Sequence, residues 1–143
     1  MSLLLDELTA HDALGERLRV NVEVEASGVA TIDFFLVKDA AGAITSGTVN
    51  FRVDVTGFPA GSSIILSHIH TGAAGVSGGV LVNAVVAAGE ITLVNGAATY
   101  SRLNLPLTAV QATQIINNPA GYYFNIHTAA FTQGVMRGQL VKQ

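Results

Sequence analysis

The amino-acid sequence predicts an all-β protein, an antiparallel β-sandwich or Greek-key fold with one short helix near residues 108–117. Two observations lead to this prediction. Hydrophobic and polar residues alternate over several short stretches, which is the pattern of strands that are buried on one face. Residues typical of turns, mainly glycine and asparagine, separate these stretches at short intervals, as they do in antiparallel sheets.

Nine stretches have the character of strands. Alternation begins at Arg17, where Leu18 and Val20 share one face and polar residues take the other. Asn95-Gly96 is a strong signal for a two-residue hairpin turn. The predicted strands cover residues 17–25, 30–38, 48–55, 64–71, 80–86, 91–94, 97–103, 121–128 and 135–141. In the third of them, the residues predicted to face the core are Val49, Phe51, Val53 and Val55.

The predicted helix covers residues 108–117. Thr108 is a suitable N-terminal cap, Ile115 and Ile116 give the helix an apolar side, and Pro119 ends it. We expect a single β domain over residues 17–143. Residues 1–16 are predicted to form an N-terminal arm, with a short helix or a loose conformation over residues 3–14.

Composition and charge exclude several classes of function. The net charge is −3 and the basic residues are scattered singly, so neither nucleic acid nor an anionic membrane surface is an expected partner. No apolar run approaches the roughly 18 residues that a membrane span needs, and the N-terminus has no signal-peptide pattern. The absence of cysteine excludes disulfides, zinc–thiolate sites and cysteine nucleophiles.

Common catalytic arrangements are also missing from the sequence. Nine of the ten acidic residues lie at or before Asp54 and only Glu90 follows, so no carboxylate pair of the glycosidase type is indicated. Ser77 lacks the surrounding pattern of a hydrolase nucleophile. The glycine-rich residues 72–79 lack the lysine and serine or threonine of a phosphate-binding loop. No catalytic residue is therefore assigned.

Two histidines occupy one predicted strand. His68 and His70 are two positions apart, so their side chains project from the same face with Cα atoms about 6.6 Å apart. Ile69 is predicted to face the core instead, together with Ile65. Two imidazoles at this spacing can converge on one metal ion.

A third histidine, His127, ends another predicted strand. If that strand forms a symmetrical hairpin with residues 135–141, Arg137 lies opposite Asn125 and Gln139 opposite Tyr123. The sequence therefore predicts a metal site formed by His68, His70 and His127. Its predicted outer shell consists of Asn125, Arg137 and Gln139. Neutral imidazoles suit copper or zinc, whereas His11 has no identifiable partner and is assigned to the surface.

Residues 67–80 and 121–140 resemble the CHRD domain, a repeat first recognised in the developmental regulator chordin and also found in microbial proteins. The resemblance covers about residues 17–142. It implies a β-sandwich, superoxide dismutase-like or immunoglobulin-like, in an extracytoplasmic (secreted or periplasmic) setting. The positions that match the two motifs are His68, His70, Gly72, Gly75, Gly78, Asn125, His127, Thr128, Gly134, Arg137, Gly138, Gln139 and Leu140.

A looser similarity links the H-x-H pair to the copper–zinc superoxide dismutase sandwich, in which such a pair holds copper. The bridging histidine and the zinc-site residues of that family are missing here, which argues against a dismutase.

Three functions remain open from the sequence. The first is a binding or structural module that contacts a protein partner or a second copy of itself. The second is a domain that holds copper or zinc through the three histidines. The third is a copper-dependent redox enzyme of superoxide dismutase-like architecture. The imidazoles also suit a structural role, in which they tie loops by hydrogen bonds to backbone carbonyls.

Overall fold

The computed structural model describes residues 26–143 and the backbone of residues 2–4 and 8–10. The predicted strand over residues 17–25 and His11 lie outside the described residues. The elements are β1 (Ser2–Leu4), β2 (Leu8–Ala10), β3 (Ser27–Lys38), β4 (Ile44–Thr56), β5 (Ile64–Thr71), β6 (Val80–Asn83), β7 (Ala98–Thr108), α1 (Ala109–Asn117), β8 (Tyr122–Thr128), β9 (Met136–Gln139) and β10 (Val141–Lys142). A single 3-10 turn, Pro119–Gly121, precedes β8.

The strands form two antiparallel layers that are joined along one side. One layer contains β3, β4 and β7, and the other has the order β6, β5, β8, β9. Strands β1 and β2 both pair with β3, and β2 continues to β9, which links the layers. The layers face each other through Phe51 on β4 and Phe124 on β8, whose ring centroids are 5.7 Å apart. The predicted antiparallel sandwich with one short helix is therefore confirmed.

The core follows the alternation of the sequence. All four residues of β4 that were predicted to face inward are buried, namely Val49, Phe51, Val53 and Val55. Arg52 lies on the opposite face of β4 and forms an ion pair of 2.8 Å with Asp33 of β3. Burying side chains of this size contributes about 1.5–3 kcal/mol each, so this inner face is a main source of the domain's stability.

Helix α1 begins and ends where the sequence predicts. Thr108 Oγ1 accepts a hydrogen bond of 3.1 Å from the backbone N–H of Gln111, and Gln111 Oε1 accepts one of 2.9 Å from the backbone N–H of Thr108. This reciprocal capping box satisfies two backbone donors at the helix start. Pro119 follows within the 3-10 turn and prevents the helix from continuing.

Two predictions of secondary structure are wrong. Residues 91–94 do not form a strand, because only Val94 pairs with Ala97, across the predicted Asn95-Gly96 turn. Both turn residues have positive φ, +51° and +76°, as the predicted hairpin turn requires. In the N-terminal arm, Ser2–Leu4 and Leu8–Ala10 form short strands where a helix or loose conformation was expected. These two short strands pair with backbone groups on the edges of β3 and β9, which are distant from them in sequence.

Within the described residues, no helix is both long and apolar enough to cross a membrane.

Candidate metal centre

Neighbouring strands bring the three strand-borne histidines onto one face of the sheet. His68 of β5 lies opposite Asn125 of β8, and His70 lies opposite Tyr123. His127 lies opposite Leu66, two pairs beyond His68 and Asn125 in the same ladder and therefore on the same face. Ile69 points to the other side and is fully buried in the core, as predicted. The histidines therefore occupy the outer face of the layer whose inner face builds the core.

A β-bulge at Ile65 separates the site from the start of its strand. Ile64 pairs with Thr128 and Leu66 with His127, so Ile65 has no partner in the ladder. The prediction that Ile65 faces the core is consequently wrong. Ile64 is fully buried in its place, while Ile65 is only half-buried.

The predicted register of the hairpin between β8 and β9 is confirmed. Asn125 pairs with Arg137, and Tyr123 pairs with Gln139. Asn125 is buried, and its amide packs against Gly134, whose φ is +114°. A Cβ at that position would lie 2.5 Å from the Asn125 amide nitrogen, so this contact requires glycine.

The histidine nitrogens lie within reach of a single ion. His68, His70 and His127 each offer one nitrogen, and these atoms all lie within 4.8 Å of one another. His68 Nδ1 and His127 Nε2 are 3.3 Å apart. Two nitrogens bound tetrahedrally to zinc at 2.0–2.1 Å stand about 3.3–3.4 Å apart. This pair therefore already has the spacing of two ligands, and a His70 nitrogen lies within 4.8 Å of both.

Hydrogen bonds to backbone carbonyls determine which ring nitrogens of His70 and His127 are available to bind a metal. His70 Nδ1 donates to Gly78 O at 3.0 Å, and His127 Nδ1 donates to Thr132 O at 2.9 Å. A carbonyl oxygen only accepts, so in both neutral rings Nδ1 carries the proton and Nε2 has a free lone pair. His127 Nε2 accepts from His68 Nδ1. His70 Nε2 is buried without a hydrogen-bond partner, which is the arrangement of a metal ligand oriented by its second nitrogen.

Burial keeps His68 and His70 in their neutral forms. Each of the three side chains is 7% exposed or less. Desolvation lowers the pKa of His68 to about 4, and the neighbouring His127 and His70 add to this effect. Desolvation also lowers the pKa of His70, opposed by its hydrogen bond to Gly78 and reinforced by His127 and Arg137. Neutral imidazole is the form that binds metals.

The His70 ring, the Tyr123 ring and the Arg137 guanidinium form a stack at the site. The His70 ring stacks on Tyr123 with centroids 5.0 Å apart and an interplanar angle of 8°. The Arg137 guanidinium lies over the same tyrosine ring, 3.5 Å from its centroid. Because β5 and β9 flank β8 on opposite sides, the ring of Tyr123 separates the positive charge of Arg137 from His70.

The predicted outer-shell residues hold the glycine-rich loop. Arg137 donates to Val76 O at 3.1 Å and to Ala73 O at 3.2 Å. Gln139 Nε2 donates to Gly72 O at 2.9 Å, and its Oε1 accepts from Arg137. Tyr123, Gly78 and Thr132 also orient the histidines, and sequence reasoning did not assign them. The only available signals were the glycines and the place of Tyr123 on the polar face of β8.

Comparison with known proteins gives one match. The family model described as the CHRD domain matches residues 15–140, nearly the whole chain. No curated protein and no solved structure matches the chain significantly.

Proposed function

Since the chain belongs to the CHRD domain family, we propose that it is a non-catalytic binding module with a transition-metal site formed by His68, His70 and His127. The observation that carries the metal assignment is the convergence of the three buried imidazoles, with ligand nitrogens within 4.8 Å of one another. A cluster of this kind is costly without a ligand, because His70 Nε2 is buried and has no hydrogen-bond partner.

The donor set favours copper or zinc. Imidazole nitrogen suits both ions, and copper(II) binds the same nitrogen ligands more tightly in the general order of divalent metals. Calcium and magnesium prefer oxygen ligands, and the only carboxylate after Asp54 is Glu90, which is paired with Arg102. Two of the ligand nitrogens face the site because Gly78 O and Thr132 O hold the opposite ring nitrogens.

The positive charge of Arg137 is compatible with a bound cation in this arrangement. Its guanidinium donates to two loop carbonyls and stacks on Tyr123, and these contacts offset part of the positive charge that acts on His70. Among the described residues, the site has three protein ligands, and three-histidine sites leave a position for water or another small ligand.

A protein partner, or a second copy of the chain, is the proposed target of the module. Exposed apolar side chains on the outer face of the β3–β4–β7 layer, such as Phe35 and Val37, offer surface for such a contact. The family resemblance supports an extracytoplasmic setting, secreted or periplasmic. The scattered basic residues give no support for binding nucleic acid.

The decisive experiment measures the copper and zinc content of protein purified without a histidine tag, followed by titration of each metal at neutral pH. We expect about one equivalent bound at micromolar or tighter affinity. Failure of both metals to bind would refute the metal site and return the histidines to a structural role. Turnover of superoxide or peroxide by the copper-loaded protein would contradict the non-catalytic assignment.

A further inference from the structure

The glycine-rich loop between β5 and β6, residues 72–79, has no apolar anchor of its own. The side chains of residues 73–77 are exposed and small, so packing contributes little to its conformation. Ordering such a loop costs backbone entropy, particularly at its glycines. The loop is therefore held by hydrogen bonds to its backbone groups.

Some of these hydrogen bonds connect the loop directly to the histidine site. Gly78 O accepts from His70 Nδ1, and Gly78 N–H donates to the Tyr123 hydroxyl at 3.3 Å. Gly78 also lies against the backbone oxygen of Thr71, where a Cβ would collide. The position of Gly78 O thus determines which nitrogen of His70 carries the proton.

Gln139 holds Gly72 at the start of the loop, and one buried side chain holds its middle. Arg137 is 3% exposed and donates to the carbonyls of Ala73 and Val76, while its plane covers Tyr123. Only a planar group with several fixed donors can bind two carbonyls and stack on a ring at the same time. A lysine would supply the charge without this geometry.

We propose that Arg137 is a positioning residue for the metal site, an inference that rests on the proposed function. By holding the loop and Tyr123, Arg137 places Gly78 O against His70 Nδ1 and leaves His70 Nε2 free to bind metal. Arg137 itself contacts no metal ion in this arrangement. Its loss frees the carbonyls of Ala73 and Val76, so that Gly78 O is no longer fixed and His70 distributes its proton between both nitrogens.

The first measurement is the tautomer of His70 in metal-free protein, observed by ¹⁵N NMR of the imidazole nitrogens. Wild-type protein should show a single Nδ1–H form, and Arg137→Lys and Arg137→Met should both show a mixture. Arg52→Met, which removes an exposed arginine from the other layer, is the matched control and should match wild type. An unchanged His70 tautomer in both Arg137 variants would overturn the proposal.

The second measurement is copper affinity, with the spectrum of bound copper(II) as a readout that stability alone does not change. Losing an outer-shell partner typically weakens metal binding about 10- to 100-fold, and we expect this for both Arg137 variants together with a heterogeneous spectrum. If Arg137→Met fails to fold, Arg137→Lys answers the question because it keeps the charge. Full recovery of affinity and spectrum by lysine would contradict the positioning role.

The two measurements separate this inference from the proposed function. Wild-type protein that binds no metal refutes the metal site, whereas the tautomer experiment still tests the link between Arg137 and His70. Folded Arg137 variants that bind copper like wild type overturn the inference and leave the metal site intact.

Discussion

His68 Nδ1 on β5 donates a hydrogen bond to His127 Nε2 on β8, across 3.3 Å. The same two atoms can become ligands of one ion with little change in their separation, because ligand nitrogens of a tetrahedral zinc site stand about as far apart. Metal binding then replaces one hydrogen bond and moves the proton of His68 to its other nitrogen. A small structural change on binding is the expected result.

The first prediction concerns His127. Its replacement by alanine removes one of three ligands, so His127→Ala should weaken copper or zinc binding by more than about 100-fold, beyond the loss typical of an outer-shell change. His11→Ala should leave binding intact and is the control. Isothermal titration of both variants checks this, after circular dichroism has verified that they are folded. Equal affinities in the two variants would disprove the assignment of His127.

The second prediction concerns the stability of the metal-free protein at acid pH. The pKa of His68 is about 4 in the fold and about 6.5 when unfolded, and the pKa of His70 is also lowered. Between pH about 4 and about 6.5 the unfolded chain therefore binds more protons than the folded protein. The free energy of unfolding must consequently fall as the pH drops through this range.

Urea midpoints at about pH 7, 5.5 and 4.5 measure this loss. His68→Gln, which keeps a donor for His127 but does not titrate, should show a smaller fall than wild type over the same range. The same pH dependence in variant and wild type would exclude His68 as its source.

The third prediction concerns the glycine-rich loop. A Cβ on Gly78 would collide with the backbone oxygen of Thr71, whereas a Cβ on Gly79 has no neighbour within 4 Å. Gly78→Ala should lower the free energy of unfolding by about 1–3 kcal/mol, and Gly79→Ala should change it by less than about 0.5 kcal/mol. Thermal or urea denaturation of metal-free protein distinguishes the two. A neutral Gly78→Ala would mean that the loop is not held against Thr71.

The fourth prediction tests the contact between the two layers. Phe51 is fully buried and stacks on Phe124, whereas Phe35 is 55% exposed on the outer face of β3. Phe51→Ala should cost about 3–5 kcal/mol of unfolding free energy, and Phe35→Ala should cost less than about 0.5 kcal/mol. Urea denaturation measures both values. Similar costs at the two positions would argue against the layered arrangement.

Two parts of the histidine site follow from local rules, whereas the pairing of β5 with β8, which brings His127 beside His68, joins residues far apart in sequence. Alternation of side chains places His68 and His70 on one face, and the hairpin register places Arg137 beside Asn125. The capped helix is predictable for the same reason, since Thr108 and Gln111 are three residues apart.

The features that sequence reasoning misses depend on distant parts of the chain. Ser2–Leu4 forms a strand because β3 and β10 offer partners, which a three-residue pattern does not reveal. The role of Tyr123 depends on His70 and Arg137, which lie on the two flanking strands. The contacts of the loop carbonyls cannot be predicted from residue type, because every residue carries the same backbone oxygen.

The bulge at Ile65 shifts the alternation of side chains along β5 by one position. Ile64 and His68 are four positions apart, and an unbroken strand would direct both to the same side. With the extra residue, the first part of the strand serves the core while the second presents imidazoles outward. Deleting Ile65 would leave Ile64 and His68 three positions apart, and an unbroken strand would still direct them to opposite sides, so the deletion should remove the bulge without turning the histidines inward.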